Sequence, residues 1–276
     1  MVRRTVLTVP YMPSTYAHYR FGRDVMASTN GDVCRDIVEN LDIYNIGLHG
    51  PDILFYHDAL VKNRVNTIGF GMHDRPGKEF FGPARDVISD MEDASAGRAY
   101  LYGFICHFML DSECHPYIEE KIASSGVSHT KIESEFDRML LEKDGFNPFG
   151  KDLTAHIHPS TDISAVISQF LPDVTPDEVE RSLREMITYN GYINTPSRLK
   201  RVMIERKLKA TGNLEDMGGM VIGLKPEPRC EDSNARLMDL YGNAVRPTAM
   251  LMESYYGYLK GECDLPVRFD RTFSVE

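Results

Sequence analysis

The sequence lacks several features that mark particular classes of protein. No stretch approaches the roughly 20 apolar residues of a membrane-spanning helix, so no transmembrane segment is predicted. The five cysteines are odd in number and follow no framework spacing, which favours reduced thiols over a disulfide scaffold. Regular alternation of apolar and polar residues is also missing, so the helical periodicity that recurs along the chain predicts an all-α protein.

Positive charge is scarce as well. The 276 residues include 31 Lys and Arg against 41 Asp and Glu, which gives a formal net charge of −10. No basic stripe for a nucleic-acid backbone or an anionic lipid is evident, so nucleic-acid binding is not predicted. An anionic substrate would therefore need another source of positive charge, and bound metal ions are often the largest local charges in a site.

Histidine is absent from the last part of the chain, because all nine histidines lie at or before His158. We therefore predict one all-helical domain over residues 1–276, with a metal-binding core in 1–142 and packing helices in 143–276. For the second part, a lid and a homo-oligomer surface are left open as further roles. The N-terminal apolar run after Arg4 is too short for a signal peptide, and no small-residue cleavage site follows, which predicts a cytoplasmic protein.

Proline and capping residues predict several helix boundaries. Thr175-Pro-Asp-Glu178 has the capping-box pattern with proline at the first helical position. Thr195-Pro196 repeats the Thr-Pro start and predicts another helix at that point. A long helix is expected over about 234–260, with a break or kink near Pro247.

The segment from Ser95 to His115 contains the clearest signal for a buried polar site. Its centre is apolar almost all round, which is typical of a buried helix, and it includes His107 and Asp111 four residues apart. Residues at i and i+4 share one helical face, so this pair can ligate one cation, or form a hydrogen-bonded pair that supports the fold. Gly103 lies one turn earlier and would allow close approach of a backbone or a ligand. His115 follows one turn later, and Pro116 is expected to end the helix.

A second pair with the same spacing is formed by His129 and Glu133. The apolar residues around them place both side chains toward the core, whereas Glu135 and Asp137 are expected to face solvent. Imidazole nitrogen and carboxylate oxygen both suit zinc. The alternative is an ordinary exposed ion pair, which is the common role of an isolated HxxxE.

The remaining candidates are weak when each is taken alone. Asp52 follows Pro51 near an expected helix start, where it could simply complement the helix dipole. His73 is expected in a glycine-rich loop, and His18 on the first helix, where surface and half-buried structural roles are the usual ones. Cys106 and Cys114 flank the histidines of the buried helix and are alternative thiolate ligands.

Taken in chain order, these residues resemble the zinc-dependent phospholipase C family, which is related in fold to zinc nucleases that cut single strands. The family pattern is an early His, a Pro-Asp, a loop His, a helical HxxxD, a further His and a final HxxxE. This chain fills all eight side-chain positions over about residues 14–140. They are His18, Asp52, His73, His107, Asp111, His115, His129 and Glu133.

The resemblance implies a compact, all-α, multi-helix bundle of the phospholipase C and nuclease type, with a buried metal cluster and Zn²⁺ as cofactor. The first zinc would have four ligands, Asp52, His73, His107 and Asp111. The second would be held by His115, His129 and Glu133, and a third would use His18 and share Asp111. In secreted members an N-terminal Trp completes the third ion, and this chain has no Trp, so two or three ions are predicted.

The implied activity is hydrolysis of a phosphate ester by a metal-bound hydroxide, with a small phosphate ester or a phospholipid as substrate. Asp52 is a candidate catalytic residue that orients the water or acts as general base. Arg75 is a candidate phosphate clamp, or else a solvated loop residue, and His57 is a candidate for substrate contact or for completing the third zinc. Alternatives are an HD-type phosphohydrolase, which would use the His57-Asp58 or His73-Asp74 dipeptide, and a non-catalytic zinc-binding or purely structural helical protein.

Overall fold

The computed structural model describes residues 14–149 and 151–274. In that part of the chain every regular element is helical, which confirms the all-α prediction, and one isolated bridge joins Pro76 to Thr272. None of the described helices combines the length and the apolar character needed to cross a membrane. The N-terminal residues on which the cytoplasmic prediction depends lie outside the described residues.

The regular elements follow one another through short connections. In residues 14–149 they are α1 (Thr15–Met26), α2 (Gly31–Glu39), α3 (Leu41–Gly47), a 3-10 segment (Gly50–Tyr56), α4 (Arg64–His73), α5 (Lys78–Phe81), α6 (Ala84–Asp90), α7 (Ala94–Ser125) and α8 (His129–Lys143). In residues 151–274 they are α9 (Thr161–Gln169), α10 (Pro176–Ile193), α11 (Arg198–Ala210), α12 (Leu214–Met217), α13 (Glu231–Leu259) and short 3-10 turns at Gly218–Met220, Pro228–Cys230 and Val267–Asp270.

Helix α7 is the central element of the fold. It has 32 residues, and every side chain from 99 to 112 is buried, as expected for a helix that is apolar all round. Helices α1, α2, α3 and α13 pack against it. Gly103 allows the closest of these contacts, because a Cβ there would overlap the backbone of α3 at Tyr44 and Gly47. The close approach predicted at Gly103 is therefore confirmed, and the neighbour is a backbone.

The prediction that Pro116 ends this helix is wrong. Helix α7 continues to Ser125 and ends at Gly126, whose φ of +66° is a left-handed conformation favoured by glycine. A proline inside a helix costs about 3 kcal/mol. Tertiary contacts beyond the proline offset that cost, because Ile118 is buried and the Lys121 ammonium lies 2.6 Å from the Asp232 carboxylate in α13.

The predicted helix boundaries in the second half are met in part. The capping box at Thr175 and Glu178 is confirmed at the start of α10. Thr195 does not start a helix, because α11 begins at Arg198 and the side chain of Ser197 accepts from its first turn. Helix α13 runs without a break through Pro247. In the second half of the chain, the long helix α13 packs on α7 and α8, and the shorter α9 packs on α7.

Candidate metal centre

Five elements bring the eight predicted ligands into one region of the core. Helix α1 carries His18, the first 3-10 segment carries Asp52, and α4 ends at His73. Helix α7 carries His107, Asp111 and His115, and α8 carries His129 and Glu133. The expectation that His73 lies in a loop is wrong, because α4 includes it as its last residue. Asp52 lies near a helix start as predicted, although that helix is of the 3-10 type.

Helix α7 forms the spine of the site because three of its side chains share one face. Asp111 is in the middle, with His107 one turn before it and His115 one turn after it. The Nε2 atom of His107 lies 3.0 Å from Oδ2 of Asp111, and that of His115 lies 3.7 Å from Oδ1. If the helix had ended at Pro116, no helical turn would follow His115 to support this face of α7.

The first group of ligand atoms comes from Asp52, His73 and His107. Asp52 Oδ1 lies 3.0 Å from Nε2 of His73, and its Oδ2 lies 3.6 Å from Nε2 of His107. Both carboxylate oxygens therefore face imidazole nitrogens, with the whole Asp52 side chain buried. Such an arrangement suits a metal ligand.

The second group consists of His18, His107 and Asp111. The Nε2 atom of His18 lies 3.3 Å from Oδ1 of Asp111, and the His18 and His107 rings stack with centroids 4.5 Å apart. His18 is buried, so the expectation of a half-buried residue understated its depth.

The third group consists of His115, His129 and Glu133. Glu133 Oε1 lies 3.2 Å from Nε2 of His129 and 3.8 Å from Nε2 of His115. The core-facing placement predicted for the HxxxE pair is confirmed, because His129 and Glu133 are both buried.

Asp111 connects the three groups. Its Oδ2 faces His107 and, at 3.7 Å, Nε2 of His73, while its Oδ1 faces His18 and His115. In each group the candidate ligand atoms lie within 4.8 Å of one another, close enough for the group to hold a metal ion. The eight residues therefore form one continuous cluster.

Gly50 lets the Asp52 segment approach α7. Its φ of +49° is in the left-handed region, and a Cβ at this position would overlap the ring of His107. The turn is completed by the Asp52 amide, which donates to the His49 carbonyl at 3.0 Å. A side chain at position 50 would therefore displace either Asp52 or His107.

Groups outside the cluster orient two of the imidazoles. Nδ1 of His73 lies 3.1 Å from the carbonyl oxygen of Gly69, and Nδ1 of His129 lies 3.5 Å from a carboxylate oxygen of Glu119. These oxygens only accept hydrogen bonds, so each Nδ1 carries a proton, and Nε2 is the ring nitrogen that points to the cluster and can bind a metal once it has lost its own proton. Metal-binding histidines commonly have such partners. Glu119 was not singled out from the sequence, although it lies on α7 one turn after His115.

Asp137 fixes the start of α1 and so the position of His18. Its carboxylate accepts hydrogen bonds from the Ser14 hydroxyl and from the amides of Tyr16 at 3.0 Å and Ala17 at 2.7 Å. The prediction that Asp137 faces solvent is therefore wrong. It lies one turn after Glu133, so one face of α8 provides both a candidate ligand and the anchor of the helix that carries His18.

Glu135 is also buried, contrary to the prediction. Its carboxylate pairs with the Lys131 ammonium and accepts a hydrogen bond from the Glu227 amide at 3.0 Å. The apolar pattern of α8 suggested a solvent face, but the turns that follow α12 cover that face. Sequence periodicity does not reveal that a segment about 90 residues away buries this face of α8.

The residues present fit a divalent metal. Both oxygens of Asp52, Oε2 of Glu133 and Nε2 of His107 are buried and have no partner in hydrogen-bond geometry among the described residues. Leaving a buried polar group unsatisfied costs roughly 1–3 kcal/mol, and more if the group is charged. Coordination would satisfy these atoms, and a donor set of nitrogen and oxygen suits zinc.

The cluster is also balanced electrostatically. Burial alone would raise the pKa of Glu133, but the nearby imidazoles of His129 and His115 lower that pKa to about 2. Burial opposes the charged form of His129, yet Glu133 and Glu119 raise its pKa to about 9. Despite burial, His107, His115 and His18 hold the pKa of Asp111 well below its ordinary value. The positive charge of protonated His129 beside Glu133 thus takes the place that a cation would take.

A wall of the site comes from the end of the chain. The Phe273 ring lies 5.4 Å from the His73 ring and 6.0 Å from the His107 ring, measured between centroids. The bridge from Pro76 to Thr272 and a 2.8 Å hydrogen bond from the Gly77 amide to the Arg271 carbonyl hold this segment in place. Nothing local in the sequence predicts these contacts, which join residues about 170 to 200 positions apart.

Small cavities adjoin the cluster. One of about 20 Å³ touches His18, Asp111, His115 and Glu133, which is room for a water-sized group. Another, of about 30 Å³, lies on the far side of Glu133 and is lined by Asp137, Asn190 and hydroxyl side chains. His73 and His115 are the only two of the eight that are partly exposed, so the described part of the cluster meets solvent at these residues.

Two sequence candidates lie outside the three groups. Nδ1 of His57 is 3.9 Å from Asp58, and the Arg75 side chain is 68% exposed, with Glu79 at 4.0 Å. The roles proposed for them stay predictions without support from a contact. Among the described residues the alternative thiolate ligands Cys106 and Cys114 also stay outside the groups, and burial raises the pKa of Cys106 to about 12.

Known proteins provide no further guide. No protein-family model, curated protein or solved structure matches the chain. The resemblance to zinc-dependent phospholipase C therefore stays a prediction that depends on the residues of this chain alone.

Proposed function

We propose that the protein is a zinc-dependent hydrolase of a phosphate ester, of the phospholipase C-like phosphodiesterase type. The observation that carries the proposal is the double role of Asp111, whose two oxygens face different groups of candidate ligands. Sharing a carboxylate between neighbouring ions is an arrangement suited to two-metal phosphoesterase chemistry. A site for a single structural ion would not need a second and a third group.

Charge supports an anionic substrate. The cluster contains three carboxylates, so two divalent ions would leave one positive charge and three ions would leave three. The rest of the chain is acidic, with a formal net charge of −10. A loaded cluster would therefore be a local positive centre that attracts a phosphate ester to this place on the surface.

The residues of the chain contribute binding and orientation. Zinc ions bound here would lower the pKa of a coordinated water toward ~7 and would neutralise charge on phosphate oxygens. The carboxylates of Asp52, Asp111 and Glu133 would hold the cations, and the partners of His73 and His129 keep Nε2 directed inward. Because both oxygens of Asp52 face imidazoles, its main role is that of a ligand, and its role as general base is the secondary part of the proposal.

The proposed number of ions is two or three. The group with Asp52 and the group with Glu133 have no residue in common, which supports two ions. The group with His18 shares His107 with the Asp52 group, and its Asp111 also faces His73 and His115, so a third ion would depend on the other two being present.

An open site favours catalysis over a structural role. Structural zinc has four protein ligands, whereas catalytic zinc keeps a position for water or substrate. Each of the three groups offers three protein ligand atoms, and His73 and His115 are partly exposed. We include a cytoplasmic location in the proposal, because all five cysteines are free thiols in the structure.

The HD-type alternative receives less support from the geometry. Among the described residues, neither His-Asp dipeptide joins the groups as a pair. Asp58 is half-buried and pairs with Arg181, and Asp74 is exposed just after the end of α4. His73 contributes to the cluster alone.

Metal analysis combined with an activity panel tests the proposal. We expect about two or three zinc ions per chain and hydrolysis of p-nitrophenyl phosphate or bis-p-nitrophenyl phosphate. The His107→Ala protein should lose bound zinc and activity and should unfold more easily, because metal binding is coupled to folding. His115→Ala, at the partly exposed edge of the cluster, provides a second variant if the first does not fold.

The exposed His158 is the matched control, because it lies 3.0 Å from Asp42 on the surface and outside the three groups. His158→Ala should keep its metal and its activity. Wild-type protein without bound metal, or His107→Ala protein with its full metal content, would contradict the proposal. Metal without hydrolysis of either ester would support the non-catalytic alternative, and a redox-active or single ion would support the HD type.

A further inference from the structure

Helix α11 differs in charge from the rest of the protein. Its 13 residues carry six cations and one acid, a net charge of +5 in a chain whose total is −10. The acidic total conceals this local basic segment, and the expectation that no basic stripe is present needs correction at this helix.

Only one narrow face of α11 packs on the protein. Ile204 and Leu208, one turn apart, are buried, and Arg201 beside them is half-buried, with its guanidinium donating to the Thr195 carbonyl at 2.8 Å. The other ten residues of the helix are exposed. Most of the helix surface is therefore available to another molecule.

The outward face of α11 carries large apolar side chains. Leu199 is 72% exposed, Met203 is 54% exposed and Val202 is 42% exposed. Leu199 and Met203 lie at i and i+4 and form one apolar strip, and at 100° per residue this strip points about 100° to 180° away from Ile204 and Leu208. Large apolar side chains grouped on one exposed face mark an interaction surface rather than chance exposure.

Cations border this apolar strip on both sides. At 100° per residue, Lys200 and Lys207 fall on one flank of the strip formed by Leu199 and Met203, and Arg206 falls on the other flank. Such long side chains can keep their charge in a polar layer while their stems cover apolar surface. An apolar strip between two cationic flanks is the pattern of helices that lie in a membrane interface.

We propose that α11 is an interfacial helix that binds the surface of a membrane containing anionic phospholipid. The apolar strip enters the boundary between headgroups and acyl chains, and the flanking Lys and Arg bind lipid phosphates. Charge complementarity selects this occupant. A symmetric contact with a second copy would bring two helices of net charge +5 together, which is repulsive.

A nucleic acid fits this face less well than a lipid surface does. Leu199 and Met203 form an apolar strip on the outward face, where contact with a phosphate backbone would require cations. The 13 residues also include no aromatic side chain on which a base could stack.

The helix lies between two segments that border the candidate metal centre. Asn190 and Asn194, just before it, and Met220 and Ile222, just after it, line the cavity on the far side of Glu133. Binding through α11 would thus hold that cavity close to the lipid surface. Membrane binding by this face depends on no property of the metal centre, so it can be tested whether or not the proposed hydrolysis occurs.

Vesicle co-sedimentation of the full chain tests the proposal directly. The probes are vesicles of phosphatidylcholine alone and vesicles of equal parts phosphatidylcholine and phosphatidylserine. We expect the protein to sediment with the anionic vesicles, to bind less as salt is added, and to stay in solution with the neutral ones. Absence of binding to the anionic vesicles, or equal binding to both kinds, would overturn the proposal.

A pair of matched methionines tests the apolar strip. Met203 in α11 is 54% exposed and Met250 in α13 is 62% exposed, so aspartate is tolerated by the fold at both positions. Met203→Asp should weaken binding to anionic vesicles at least tenfold, whereas Met250→Asp should lower it by less than half. Circular dichroism on both proteins checks that the helical content is unchanged. Equal loss in the two variants would contradict a role for α11.

The cationic flank is tested by neutralising Lys200 and Lys207 together. Each cation near an anionic surface contributes about fivefold in affinity, so Lys200→Gln with Lys207→Gln should weaken binding ~25-fold. Arg236→Gln with Arg246→Gln removes two exposed cations of α13 and is the matched control. Two other outcomes would also overturn the proposal, namely a dimer that Met203→Asp dissociates, or binding to single-stranded RNA that survives Met203→Asp.

Discussion

The protein contains two sets of buried histidines that respond to burial in opposite ways. In the candidate metal centre, carboxylates lie beside the imidazoles, and the pKa of His129 is raised to about 9 despite its burial. His49 and His156 instead meet each other, with their Nε2 atoms 2.8 Å apart. Burial lowers the pKa of His156 to about 3 and that of His49 well below its ordinary value.

The difference between the two sets lies in the neighbours of each ring. An imidazole in the core is normally neutral, because desolvation disfavours the charged form. Asp52, Asp111 and Glu133 reverse that tendency, and the same negative charges would attract a metal ion. The His49–His156 pair has no carboxylate in hydrogen-bonding contact among the described residues, and the Tyr19 ring stacks on His156 at 4.0 Å. Buried histidine alone is therefore no indication of a metal, whereas buried histidine with carboxylate is.

Removal of the shared carboxylate should give the largest effect. Asp111→Ala deletes contacts to His18, His73, His107 and His115 together, so we expect loss of all bound metal and of hydrolysis. His156→Phe affects only the other set and should keep the metal content. It should lower the free energy of unfolding by about 1–3 kcal/mol, because His49 loses its partner. Elemental analysis and urea unfolding of the two variants would separate the sets, and metal loss in His156→Phe would contradict the division.

An intermediate effect is expected at Asp137, which positions His18 without lying in the three groups. Asp137→Asn replaces an acceptor oxygen by an amide nitrogen that cannot accept from the Tyr16 or Ala17 amide. Supporting substitutions of this kind typically weaken metal binding 10- to 100-fold. Competition with a chromophoric chelator measures the affinity, and Asp239→Asn on the exposed face of α13 is the control. Unchanged affinity in Asp137→Asn would mean that the start of α1 does not position His18.

The smallest effect is a difference in the pH dependence of stability in metal-free protein. For His129, whose folded pKa of about 9 lies above the ordinary 6.5, the stabilisation is complete below 6.5 and is lost as the pH rises to 9. For His156, whose folded pKa is about 3, the unfolded chain binds more protons between pH 3 and 6.5, so stability falls as the pH falls through that range.

Urea unfolding in the presence of a chelator, measured from pH 5 to 9 in steps, tests these opposite slopes. The His129→Gln protein should lose the decrease on the alkaline side, and His156→Phe should lose part of the decrease on the acid side. Identical profiles for wild type and both variants would show that the two sets do not differ in charge.

Much of the candidate site was predictable from the sequence because its ligands lie at regular helical spacing. The pairs His107–Asp111 and His129–Glu133 are local patterns, and α7 and α8 place them as the i, i+4 rule requires. Helix boundaries were less predictable. Pro116 and Thr195 carry local signals for a helix end and a helix start, and tertiary packing overrides both.

Local sequence patterns could not predict the contacts between segments that are distant in the chain. Phe273 meets His73 and His107 only because the end of the chain returns to α4 through the Pro76–Thr272 bridge. The burial of Asp137 and Glu135 likewise depends on α1 and on the residues near Glu227. The basic residues of α11 are present in the sequence, but the net charge of the whole chain does not reveal a basic segment within it.

The position of Asp111 also determines how the centre would fill. Because each oxygen of one carboxylate faces a different group, an ion that enters one group fixes the rotamer that its neighbour requires. Occupancy should therefore rise cooperatively, with few half-filled molecules at any free zinc concentration. Such a protein would change from metal-free to fully loaded over a narrow range of free zinc concentration. The fraction of loaded molecules would therefore depend steeply on that concentration.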